Sequence, residues 1–250
     1  MKPFRYSDYE SRLMDLNYIR MLQGPRVQFF KRCKRVLDLA CGPGVFLELL
    51  REAGIEAIGV DRDEEIVKKA RQKGLNVIHA DIFDYLERTD ETYEGIFCSH
   101  LLEHLSFDRV ALFIERIAKR LVSGGTVVFV LPNPGSIRLH LFGFWRDPEH
   151  VRFYTGNLVA SVCQHYGLSI EYSNDEETPN LLVTPLLEPI SARPSDSIWK
   201  GFRKKNKAEP LFLELNRKIE EFNQKMEKFS EAVNKMWARD DEVVLVCRKA

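Results

Sequence analysis

The stretch Val36-Leu-Asp-Leu-Ala-Cys-Gly-Pro-Gly44 constrains this chain more than any other. A short apolar run of strand type enters a turn of small residues, and a helical pattern begins at Val45. Glycine tolerates positive φ and leaves open the space where a Cβ would stand. Gly42 and Gly44 therefore allow the backbone to approach a ligand closely. A helix that starts just beyond such a turn offers unpaired N–H groups at the same place. Strand, glycine turn and helix in this order form the opening unit of an open α/β sheet.

The pattern continues along the chain. Strand-like runs at Glu56–Val60, Leu75–His79, Gly95–Ser99 and Thr126–Leu131 alternate with helical patterns, among them Val45–Ala53, Glu64–Lys73 and Asp108–Leu121. Ser123-Gly-Gly125 reads as the stop of the last of these helices. The Thr126–Leu131 run is apolar throughout, as a central strand covered on both faces requires. Such alternation predicts a doubly wound, mostly parallel sheet, with ligands beyond the carboxyl ends of the strands.

After Tyr172 the composition shifts. Ser173–Pro210 holds five of the 11 prolines and the basic run from Lys200 to Lys207, and it reads as a lid or loop. A long amphipathic helix is expected over residues 211–240. Its apolar residues Leu215, Ile219, Phe222, Met226, Phe229, Val233 and Met236 fall at heptad spacing over roughly 33 Å. That seam suits either packing on the chain's own domain or a homodimer. Glu242–Arg248 returns to a strand pattern and completes the sheet. The expected organisation is an N-terminal helical cap (1–34), a core (35–172 and 241–250), the proline-rich segment (173–210) and the helix (211–240).

Composition excludes little beyond extremes. Thirty-seven basic residues balance 37 acidic ones, which gives no electrostatic case for nucleic acid. No apolar run reaches transmembrane length. The five cysteines are scattered, as free thiols of a reducing compartment would be, and MKPFRYSDYE lacks an apolar leader core. A cytoplasmic location is expected.

Two acidic residues sharpen the reading of the glycine turn. Asp61 ends the second strand, where a carboxylate can accept from both hydroxyls of a ribose. Asp81 follows the third, where it can accept from an adenine amino group. Either alone could be a helix cap. The dinucleotide fingerprint fails, because Val45-Phe-Leu47 supplies no third glycine. Asp38, at the strand end, would repel a pyrophosphate but suits the ammonium of a sulfonium zwitterion.

In order and spacing, Asp38-x-Ala40-x-Gly42-x-Gly44, Asp61 and Asp81 resemble the class I S-adenosylmethionine-dependent methyltransferases. Ala40 stands where many members carry glycine. The resemblance covers about Arg35 to Tyr172 and the final strand. It implies a Rossmann-like seven-stranded sheet whose last strand is antiparallel, here with a helical insertion before it. It also implies S-adenosylmethionine as cofactor and S-adenosylhomocysteine as product. Asp38, Ala40, Cys41, Gly42 and Gly44 would surround the methionine moiety. Asp61 would hold the ribose, with Arg62 beside the adenine, and Asp81 and Ile82 would hold the adenine edge. Ser99 and His100 would line the cofactor at the fourth strand.

Two further stretches bear on the acceptor. His100-Leu-Leu-Glu103-His104 spells the inverted zinc-peptidase motif. The methyltransferase resemblance already accounts for a Glu-His-Leu there, so no metal is expected. Trp145-Arg-Asp-Pro-Glu-His150-Val-Arg152-Phe-Tyr154 lies beyond Leu131-Pro-Asn-Pro134, at the rim of a doubly wound fold. His104 and His150 are the candidate bases for a hydroxyl acceptor, with Glu103 orienting one of them. Trp145, Arg146, Arg152 and Tyr154 are candidate substrate contacts. These stretches look most like the methyltransferase domains of bacterial O-antigen chain-terminating enzymes and their archaeal relatives. That likeness implies a carbohydrate or glycan acceptor, possibly phosphorylated. A small molecule of quinone-precursor type is the alternative, and a non-catalytic scaffold acting through its helical arm is the other class.

Overall fold

A computed structural model describes residues 15–175, 208–237 and 240–250. The chain divides into two units. One runs to Glu176 and resumes at Asp240, and the other spans Glu177–Arg239.

The first unit is built on seven strands. They are β1 (Arg35–Leu39), β2 (Glu56–Asp61), β3 (Val77–His79), β4 (Tyr93–Ser99), β5 (Leu121–Pro132), β6 (Leu168–Ser173) and β7 (Glu242–Lys249). Their order across the sheet is β3-β2-β1-β4-β5-β7-β6. β7 runs antiparallel to both neighbours, β5 and β6. The pairings among β1 to β5 are parallel. Strand order reverses between β1 and β4, which opens a crevice at their carboxyl ends.

The helices are α1 (Leu16–Gln23), α2 (Val45–Glu52), α3 (Glu64–Gln72), α4 (Ile82–Arg88), α5 (Phe107–Arg120) and α6 (Gly156–His165). α2 to α6 each turn buried apolar residues toward the sheet, whereas α1 buries none. On α5 the buried residues Val110, Phe113, Ile114, Ile117 and Ala118 recur at helical spacing. α2 buries Val45, Phe46, Leu47 and Leu50 and stops at Gly54, whose φ of 74° suits a C-terminal glycine. Asp63 caps α3 through the N–H of Ile66, and Thr155 caps α6 through that of Leu158. Because side chains alternate along β1, Leu37 and Leu39 join the core on one face of the sheet while Val36 joins that on the other.

Several sequence expectations shift. β5 begins at Leu121, five residues before its apolar run, so Ser123-Gly-Gly125 lies inside the strand and does not stop a helix. α5 ends because Leu121 adopts extended φ and ψ. α4 is an element the periodicity did not reveal. β6 extends to Ser173, and Asp175 accepts from the Gly156 N–H, so the core runs slightly past residue 172. Most of the proline-rich segment and the whole Lys200–Lys207 run lie outside the described residues, as do residues 1–14 of the expected cap.

The second unit holds a 30-residue helix, α7 (Ala208–Trp237), which begins three residues before the expected bound. Leu215, Ile219, Phe222, Met226, Phe229 and Val233 are all exposed. No helix among the described residues is long and apolar enough to cross a membrane.

Candidate functional site

A cavity of about 240 Å³ opens beyond the strand ends. Ala40 and Gly42 line it from the turn after β1, and Asp61, Arg62 and Asp63 from the end of β2. Asp81, Ile82 and Phe83 come from the start of α4. His100, Leu101, His104 and Leu105 come from the segment after β4. Four loops on different strands thus meet at the crevice that the strand order opens.

The turn after β1 divides its tasks. Ala40 and Gly42 adopt left-handed φ of 57° and 52°. A Cβ on Gly42 would meet nothing within 4 Å, so its open side is free for a ligand. Gly44 differs. Its φ is 81°, and a Cβ there would stand 2.4 Å from Leu75 Cδ1. Gly44 therefore serves the packing of α2 rather than the cavity. Cys41 also faces away, packed with Leu47, Val67, Ala70, Leu75 and Val77. Neither residue lines the cavity.

Asp61 shapes the turn directly. Its Oδ2 accepts from the Gly42 N–H at 2.8 Å and its Oδ1 from the Asp63 N–H at 2.9 Å. Each oxygen keeps a second lone pair for a ligand hydroxyl. Asp81 does cap a helix, accepting from the N–H groups of Phe83 and Asp84, and it remains exposed at the cavity. Arg62 is not free beside the cavity: it pairs with Glu149 at 2.7 Å.

Asp38 lies buried beneath the turn, and its Oδ2 has no hydrogen-bond partner. Burial, and then the charge of Asp61, pushes its carboxyl well above the usual range. A buried oxygen without a donor beside an open left-handed turn fits a cationic ligand group. These residues fit S-adenosylmethionine: Asp38 for the ammonium, Gly42 for close approach, Asp61 for the ribose and Asp81 for the adenine. The bound cofactor would supply an already activated sulfonium methyl.

Past β4 the chain turns sharply. His100 has a φ of 53°. Its Nδ1 meets Glu103 Oε1 at 3.1 Å and its Nε2 meets Glu242 Oε1 at 2.9 Å. Burial works against charging this imidazole, yet Glu103 and Glu242 outweigh it and raise its pKa to about 10. Glu103 thus orients His100, not His104 or His150. Leu102–His104 is a single three-residue 3₁₀ turn, so His100 and His104 do not share a helix face and the zinc-peptidase arrangement is absent. Ser99 ends β4 and does not line the cavity.

The loop after β5 is stitched to this turn. Val151 and Arg152 N–H groups both donate to the Glu103 carbonyl, at 2.8 and 3.3 Å. Tyr154, expected to touch substrate, is buried and donates its hydroxyl to the Leu105 carbonyl at 2.7 Å. It anchors the loop, and the exposed Arg152 lies over its ring. Through this stitching His150 comes against His104, ring centroids 4.7 Å apart. Burial lowers the pKa of His104, the largest influence on it, which keeps that imidazole neutral at physiological pH. From His150 a run of ring contacts leads outward through Phe144 to Phe153, Trp145 and His140. Trp145 is 64% exposed at the end of this wall. Arg146 is exposed beside it.

Residues 8–173 match the family model described as a methyltransferase domain. The chain belongs to this family. It carries an S-adenosylmethionine-dependent methyltransferase domain. A solved S-adenosylmethionine-dependent methyltransferase from Archaeoglobus fulgidus is 25% identical, with a TM-score of 0.67 over 98% of this chain and 100% of that one. A methyltransferase solved with the Haloferax volcanii Trm112 activator shares the fold, at 15% identity and a TM-score of 0.59, over 99% of both chains. Among curated proteins, the ubiquinone biosynthesis O-methyltransferase of Aliivibrio fischeri is 31% identical over 115 residues. That match spans 44% of this chain and 48% of the relative, so this chain aligns with about half the length of that protein.

Proposed function

We propose that this chain methylates a hydroxyl oxygen on a ring-shaped acceptor seated between the His104–His150 pair and the aromatic wall. The observation that carries this reading is the pair itself, at the edge of the cofactor cavity. A sulfonium methyl needs no activation, so the protein has to align the acceptor and exclude water. A hydroxyl also has to lose its proton, and a neutral imidazole suits that role near pH 7. His150 Nδ1 is held by the Phe144 carbonyl at 2.6 Å, so its Nε2 is the face left to act.

A carbohydrate or glycan acceptor is supported by the exposed Trp145, whose flat face can stack on a sugar ring. A phenolic small molecule is supported by the O-methyltransferase named among the curated relatives. Radiolabelled methyl transfer to oligosaccharides, their phosphorylated forms and phenols separates the two. His150→Ala is expected to lower turnover by about 10²–10⁴-fold while cofactor binding stays intact. Unchanged turnover in that variant would remove His150 from the chemistry.

A further inference from the structure

We propose that Glu103, His104 and His150 hold one divalent transition-metal cation beside the cofactor cavity. One donor atom from each lies within 4.8 Å of the others. Two imidazoles and one carboxylate suit zinc and its neighbours in the first transition series better than magnesium or calcium. No described residue outside this cluster forms a comparable group.

The free valences point to a ligand. Glu103 is 1% exposed, and its Oε2 has no hydrogen-bond partner. Nδ1 of His104 is buried and also lacks one. Two unpartnered polar atoms in one buried cluster cost free energy that a cation would recover. The outer partners are those a metal site needs. His150 Nδ1 donates to the Phe144 carbonyl, which fixes the tautomer and leaves the Nε2 lone pair available. Glu103 Oε1 is held by His100, leaving Oε2. Asp147 Oδ2, 3.8 Å from His150 Nε2, adds negative charge.

Donors around a shared zinc-sized ion stand roughly 3–3.5 Å apart. Closing from the present separations takes a shift of about 1 Å. Three protein donors leave coordination positions open. A hydroxyl bound there would ionise closer to neutrality than a free one. The cation site rests on the same imidazoles as the proton-accepting role above and, when filled, would replace that role, because coordination would occupy their lone pairs.

The test is titration of the full chain with cobalt(II), read by its visible absorption, followed by displacement with zinc. One equivalent is expected to bind. His104→Ala and His150→Ala should each weaken binding tenfold or more, while His165→Ala, on the exposed end of α6, should not. Glu103→Gln preserves shape and tests the buried carboxylate, with circular dichroism to check folding. Absence of binding, or equal binding in the His104 and His150 variants, overturns the site. Methyl transfer on the same preparations keeps the two readings apart. Transfer without metal binding removes the cation site and leaves the proposed function standing. Metal binding without transfer to any acceptor does the reverse.

Discussion

Asp38 shows how a single side chain trades stability for binding. Its Oδ2 has no donor in the fold, and its pKa is raised in the folded state. The folded chain therefore retains a proton that the unfolded chain has released, so Asp38 makes stability fall as pH rises above the unfolded carboxyl value. Asp38→Asn is expected to remove that fall and to melt higher than the parent at neutral pH. The same change should weaken cofactor binding by about 10–100-fold, the worth of a charge-assisted hydrogen bond. Thermal melts and calorimetry at matched pH check both arms. The two turn glycines give a second contrast. Gly44→Ala meets Leu75 and a left-handed φ, and should cost about 2 kcal/mol of stability. Gly42→Ala meets open space, so it should cost about 1 kcal/mol and lose cofactor affinity instead. Equal effects of the two on stability and binding would contradict this division.

At the scale of elements, the cofactor side was legible because local chemistry decides it. Strand, glycine turn and terminal carboxylate lie within a few residues of one another, as at Val36–Gly44 and Ile58–Asp61. The acceptor side was only half legible. His104 and His150 were found as candidates by residue type. What brings them together is two main-chain N–H groups on one carbonyl, which leave no mark in side-chain pattern. Tyr154 was misjudged for a related reason. An aromatic in a polar loop reads as a surface contact until its hydroxyl is seen to reach a buried carbonyl. β5 was drawn too short, because Gly124 and Gly125 interrupt its apolar run without ending it. On α7 the stripe was legible and its partner is a matter for experiment. Its heptad spacing and exposure lead us to propose pairing with a second copy of this chain. Light scattering should then give a dimer that becomes a monomer when residues 211–236 are removed, and a monomer in both cases would end that proposal.

Over the whole molecule, the sheet sets which reactions are possible and the loops set which one occurs. The order β3-β2-β1-β4-β5-β7-β6 makes one crevice, and four of its loops supply a seat matched to a nucleoside with a cationic tail. The loop after β5 adds histidines and aromatic rings at one edge of that seat. This seat is built to take S-adenosylmethionine. Calorimetric titration of the full chain with S-adenosylmethionine, set beside NADH and an Asp61→Ala variant, tests it most directly. One molecule bound per chain, markedly weaker binding in the variant and none of NADH is the predicted result. No binding of S-adenosylmethionine, or binding indifferent to Asp61, would contradict the account.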